Sequence, residues 1–128
     1  TRIGTRAPAH ATSGGKVLLA AQSEEFIDGY CSALPAMKPL TDKTIVSADR
    51  LRAELVNARI NGYAMDDGEI EPGLICVGAP IIDMNQKVVA AASIAGPVSR
   101  MQEDLNFMIR EVKKSAASIS RLLGGRPR

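Results

Sequence analysis

The sequence has no tryptophan, one histidine and two cysteines, and aromatic residues make up only 3% of it. So few rings speak against stacking platforms for single-stranded nucleic acid. A lone histidine, His10, rules out a His-rich zinc site or a His pair. Cys31 and Cys76 fall in an expected helix and an expected buried strand without metal-ligand spacing. They are expected to be reduced thiols in a cytoplasmic protein. No apolar run reaches the roughly 18 residues a membrane span needs, and no signal-peptide pattern opens the chain. The formal charge of +2 is too small for a nucleic-acid surface, and Arg126 and Arg128, in an expected frayed tail, supply part of it.

What is present suits one globular domain: 128 residues, 45% hydrophobic and 23% charged. The chain opens on Thr, and TRIGTRAP reads as a strand over Thr1 to Thr5 broken at Ala7-Pro8. Such an abrupt start is expected of a fragment of a longer polypeptide. A helix is expected from about Ser13 to Ala21, and a second after the N-cap Ser23 with Glu24 and Glu25 in its first turn. A third places Leu51, Leu55 and Ala58, with Val56 and Ile60 beside them, at helical spacing and stops at Gly62. After the short strand YAM and the polar link DDGEIEPG, the apolar runs GLICVGAPII and KVVAAASIAG flank DMNQ as a hairpin. Neither run alternates with polar residues, which predicts burial on both faces. A last long helix opens on a Ser99–Gln102 capping box, with Met101, Leu105, Met108, Val112, Ile119 and Leu123 as its stripe. The fold class is α/β, helices packed on an antiparallel sheet.

Centring the hairpin on Met84-Asn85 pairs Ala79 with Ala90, Gly78 with Ala91 and Cys76 with Ser93. One face then carries Ile75, Val77, Ala79 and Ile81 with Val88, Ala90, Ala92 and Ile94, and reads as core. The other carries Leu74, Cys76, Gly78 and Pro80 with Val89, Ala91, Ser93 and Ala95. These small side chains leave room either for a closely packed helix or for a ligand.

HATSGGK fails as a P-loop: the required early glycine is His10, and Val17 follows the lysine where Ser or Thr is needed. Thr12 or Ser13 instead caps a helix whose first-turn glycines, Gly14 and Gly15, leave amides open to an anion. A plain helix start is the simpler alternative. His10 reads as a hydrogen-bonded structural residue, no G-x-S-x-G elbow supports a Ser-His-Asp triad, and Cys76 reads as a buried thiol. Asp66 and Asp67, with Glu69 and Glu71, lack EF-hand spacing. They form either a solvated turn or one in which an aspartate faces inward, accepting from a ligand hydroxyl or from neighbouring amides.

RIGTRAPAHATSGGKVLLA, GYAMDDGEIEPGLICVGAPI and KVVAAASIAGP, in that order and spacing, resemble the effector-binding domain of the IclR family of bacterial transcription regulators. The resemblance covers nearly the whole chain. It implies a GAF/profilin-like sheet flanked by helices, with the first helix and strands of that fold missing, so that residues 1–128 form one partial domain. It also implies no enzymatic activity and no cofactor or metal, but a small organic acid as effector, keto- or aromatic. DNA would be bound by a winged helix-turn-helix domain absent from this chain, in a cytoplasmic homodimer or homotetramer with no membrane association. Carried over by position, the ligand residues are Ser13, Gly14, Asp66, Cys76 and Ser93, with Gly15, Ala91 and Ala95 as further pocket candidates. Ser13 stands where the pattern has glycine and Ala95 where it has a second serine, departures that favour a larger or partly apolar acid. The alternative is a thiol-dependent enzyme on a GAF-like scaffold using Cys31 or Cys76.

Overall fold

Hydroxyl side chains start three of the helices. In the computed structural model, which describes residues 3–127, Thr12 accepts from the Gly15 amide at the head of α1 (Ser13–Ala20). Ser23 accepts from the Phe26 amide at α2 (Glu24–Ala33), and Ser47 from the Arg50 amide at α3 (Ala48–Asn61). Each oxygen satisfies an amide that a first helical turn leaves unpaired. Gly62, at φ 77°, closes α3 in the left-handed conformation that glycine adopts without a Cβ penalty. Three antiparallel strands follow in the order β1 (Ala64–Asp67), β2 (Leu74–Ile82) and β3 (Val88–Pro97). Helices α4 (Val98–Met101) and α5 (Leu105–Leu122) end the chain.

The sheet separates two cores. Ile75, Val77, Ala79 and Ile81 of β2 pack with Met101 and with Val112 and Ala116 of α5. On the other side Val17 and Leu19 of α1 join Ile27, Cys31, Leu51, Leu55 and Ala58 of α2 and α3. The alternation of β2 is thus bulky toward α5 and small toward α1, as expected.

The hairpin register differs from expectation by two residues: Gly78 lies opposite Ser93, Ala79 opposite Ala92, and Cys76 opposite Ala95. Two local features each add one residue. The loop is three residues long, with Asp83 N donating to Lys87 O and Gln86 at φ 60°. A bulge between Ile81 and Ile82 then leaves Val89 unpaired, since Ile81 faces Ala90 and Ile82 faces Val88. A shift of two preserves faces, so Cys76, Gly78, Ser93 and Ala95 still share one side, Cys76 and Ser93 as diagonal rather than direct neighbours. Only Val88 and Val89 change places: Val88 packs against the α1 core and Val89 is exposed. At the bulge, Ile82 N donates to Ser120 Oγ (2.9 Å), and that hydroxyl donates to Ala116 O (2.8 Å).

Other expectations need correction. Ile3 and Gly4 form a turn rather than a strand, and residues 1 and 2 lie outside the described residues. The burial expected on both faces holds for β2 only toward α5, its other face being half-buried apart from Gly78, and β3 pairs with β2 alone among the described residues and alternates between half-buried and exposed. The Ser99–Gln102 box does not form. The Val98 amide donates to Gly73 O at 2.8 Å, so a tertiary bond starts α4, and 102–104 separate it from α5. Ile119 and Leu123 are exposed because α5 turns Ala116 and Ser120, its small residues, to the sheet. Val56 and Ile60 are exposed as well. The tail is pinned rather than frayed: Arg126 N and O both bond the Gln86 side chain, and Arg128 lies outside the described residues.

Before α1, His10 is buried, and its Nδ1 lies 2.8 Å from the Tyr30 hydroxyl. That hydroxyl also accepts from His10 N, which leaves its proton for Nδ1 and favours a neutral ring. Burial foremost, then the Lys16 charge, holds the imidazole below its ordinary pKa. A depressed histidine pKa contributes stability above the unfolded value near 6.5 that is lost as pH falls through the folded one. His10→Asn keeps an acceptor for Tyr30 but cannot be charged. Urea midpoints between about pH 7 and 5 should fall more steeply for the wild type than for this variant, and equal slopes would refute the assignment. Ser120→Ala removes, at a fully buried position, the acceptor of the part-buried Ile82 amide and should cost about 1–3 kcal/mol in chemical denaturation.

Candidate functional site

The small-residue face of the sheet is covered by the start of α1. A Cβ on Gly78 would stand 3.1 Å from Gly14 N, Ser13 C and Ser13 Oγ, so any side chain there would push the helix back by a few tenths of an ångström. One on Gly14 would meet Ala91 Cβ at 3.6 Å. Helix packing therefore accounts for Gly78 and Ala91. The same contact sets the Gly14 amide over Gly78, with the Ser13 amide one residue before it at the head of the helix; Gly78 is directly across from Ser93 and two residues along β2 from Cys76. As the first donors of α1, these two amides find no acceptor among the described residues. The helix dipole adds partial positive charge there.

Gly15 does not join them. Its amide is held by Thr12, and a Cβ on it would strike Ala9 and Thr12 Oγ1 on the side away from the sheet. It lines a separate cavity of about 440 Å³ with Ala7, Leu18, Phe26 and Tyr30.

Asp66 stands opposite Cys76 on β1 and is buried, whereas Asp67 is exposed. The aspartate that faces inward is thus Asp66, and its Oδ1 accepts from Glu69 N at 2.7 Å. Glu69 is buried too and folds back so that Oε2 accepts from Asp67 N at 3.0 Å. The cation that compensates these acids is Lys16, 0% exposed. Its Nζ lies 2.8 and 2.9 Å from the Glu69 oxygens, 2.7 Å from Met65 O and 3.1 Å from Glu54 Oε2. Thr41 and Thr44 hold the same turn from outside, donating to Gly68 O and Glu69 O. With an ammonium at its centre, the acidic cluster is not a cation site, and no group able to hold a metal occurs among the described residues. A second cavity, of about 460 Å³, opens beyond this cluster between Lys43, Arg50, Glu54 and Asp67.

Burial pushes the Asp66 carboxyl above its ordinary pKa, and the amides of Glu69 and Ile70 and the Lys16 charge partly offset it. Burial raises the Glu69 carboxyl likewise, against its bond to Lys16. The Cys76 thiol is pushed up by burial and then by the facing Asp66.

Ser13, Gly14, Asp66 and Cys76 therefore converge, with Ser93 and Ala95 at the exposed margin on β3. The site is open on that side, because β3 pairs with β2 alone among the described residues. Sequence reasoning named Glu69 only within the acidic cluster and treated Lys16 only as a failed phosphate ligand, missing their pairing. The available signal was spacing: Lys16 is three residues past Ser13, on the same side of the helix.

The family model for the C-terminal domain of the bacterial transcriptional regulator IclR matches residues 1–121. The HTH-type transcriptional repressor AllR of Salmonella paratyphi A is 38% identical over 98% of this chain and 46% of its own length. The crystal structure of the Agobacterium tumefaciens repressor BlcR superposes with TM-score 0.89 at 33% identity, covering 97% of this chain and 51% of that one. An IclR homologue from Microbacterium hydrocarbonoxydans, solved in complex with 4-hydroxybenzoate, gives TM-score 0.82 at 29% identity over 96% of this chain and 49% of that one. The chain thus spans about half the length of the proteins it matches. It belongs to the family of C-terminal domains of bacterial IclR transcriptional regulators.

Proposed function

We propose that this domain senses a small organic acid whose carboxylate is held by the Ser13 and Gly14 amides. The observation that carries the reading is the pair of unpartnered amides at the head of α1, set beside buried Asp66 and half-buried Cys76. Amides aimed along a helix axis favour an anion without requiring a cationic side chain. Asp66 accepts from a hydroxyl of the ligand, Cys76 lines the wall, and Ser93 donates from β3. Alanine at position 95 in place of a second serine suits a keto- or aromatic acid larger than the smallest, and the 4-hydroxybenzoate held by the Microbacterium homologue is of that chemistry.

In the whole regulator, DNA would be read by a domain outside this chain, in a homodimer or homotetramer. The acid alters DNA affinity only if it prefers one arrangement of that assembly. No observation favours a thiol-dependent enzyme: the Cys76 thiol is pushed up, away from the thiolate such chemistry needs.

Thermal unfolding with 4-hydroxybenzoate, and separately with pyruvate, tests the site. An acid near 100 times its Kd stabilises by about 2.7 kcal/mol, a rise of several degrees. Gly14→Pro, which deletes one amide, and Ser93→Val should each abolish most of that rise. A shift by neither acid, or one that survives both substitutions, sinks the proposal. Cys76 should react with a thiol-labelling reagent at neutral pH more slowly than a free cysteine does, accelerating as pH rises. Rapid labelling coupled to turnover would favour the enzyme instead.

A further inference from the structure

We infer that Lys16 is the positioning residue of the anion site: its buried ammonium fixes the Asp66 turn against the amide end of α1 and supplies the positive charge that lets an aspartate and a carboxylate ligand share one pocket. This rests on the site proposed above. Lys16 reaches the pocket through others. Its Nζ bonds Met65 O, the residue before Asp66, at 2.7 Å. It also bonds Glu69 Oε2 at 2.9 Å, and the amide of Glu69 donates to Asp66 Oδ1. Two contacts therefore link the helix that carries Ser13 and Gly14 to the position and the hydrogen bonding of Asp66. The Gly78 contact and the β1–β2 ladder keep the two elements adjacent, and the Lys16 bonds fix the orientation of the turn within that arrangement.

The charge argument is independent of these bonds. Asp66 is faced by Lys16 from α1 and Cys76 from β2, with Asp67 and Glu69 on its own turn. Beyond these, Lys43 pairs with Asp67 at 3.7 Å, and Glu54 of α3 pairs with Lys16 itself. Ser93 and Ala95, the β3 residues on this face, carry no charge. An entering carboxylate adds a negative charge beside Asp66, and Lys16, shared with Glu69 and Glu54, is the buried cation that offsets part of it.

The test follows the Asp66 carboxyl carbon by NMR titration, the Ser13 and Gly14 amide resonances, and the affinity for 4-hydroxybenzoate against pH. It compares the full chain with Lys16→Met and with Lys16→Met/Glu69→Gln. The double variant removes both charges of the buried pair yet keeps an acceptor for Asp67 N. It is therefore expected to fold even where the single variant leaves an unpaired carboxylate. In both, the Asp66 midpoint should move to higher pH and the two amide resonances should shift. Affinity at neutral pH should fall by about tenfold or more, with the acid limb of the binding profile displaced to higher pH. A purely structural lysine would lower the melting temperature and leave the midpoint and that limb where they were, which would overturn the inference. If the wild type does not bind 4-hydroxybenzoate, the ligand reading fails by itself. The Asp66 midpoint and the two amide resonances still decide for or against Lys16.

Discussion

A fully buried ammonium holds this domain together. Taking a lysine out of water costs several kcal/mol unless well-placed oxygens replace its hydration. Lys16 has such oxygens from α3, from β1 and from the acidic turn. Because the penalty for breaking such a cluster is large, these elements cannot drift apart while the chain is folded. The turn inherits its shape from that constraint. Glu69 folds back onto Asp67 N only because a cation awaits its carboxylate, and its amide then orients Asp66.

The sheet explains why an anion site fits beside this cluster. Bulky side chains on one face of β2 fill the core beneath α5, and glycine and small residues on the other let α1 approach until Ser13 and Gly14 touch Gly78. Close approach is usually read as packing alone. Here it also delivers the unbonded end of a helix to a position flanked by Asp66, Cys76 and Ser93. Packing and binding are then not competing explanations of the small face: the first places the donors that the second uses.

Much of this was legible in the chain. The capping hydroxyl at Ser23, the cap at Thr12 or Ser13 and the stop at Gly62 follow from local backbone chemistry, which short sequence windows contain. The grouping of Cys76 with Ser93 survived a wrong register because strand faces repeat every two residues and the error was two. The failures have one origin. The Ser99 box, the Ile119–Leu123 stripe and the burial of β3 each depended on what lies across from them. For α4 that was Gly73 O, for α5 the bulge at Ile82, and for β3 an unpaired edge.

By itself the sequence determined the kinds of element, their order, the small and bulky faces of the hairpin, and the resemblance that its motifs carry. These depend on periodicity, on turn residues and on near neighbours along the chain. Only the tertiary structure decided that Lys16 is buried, that Gly15 faces away from the sheet while Gly14 faces it, and that Asp66 rather than Asp67 is the inward acid. The first of these turns on partners 38 and 53 residues away in the chain, through the bonds from Lys16 to Glu54 and Glu69. Where a charge can afford to be buried is set by the oxygens that folding brings to it, and no local pattern records them.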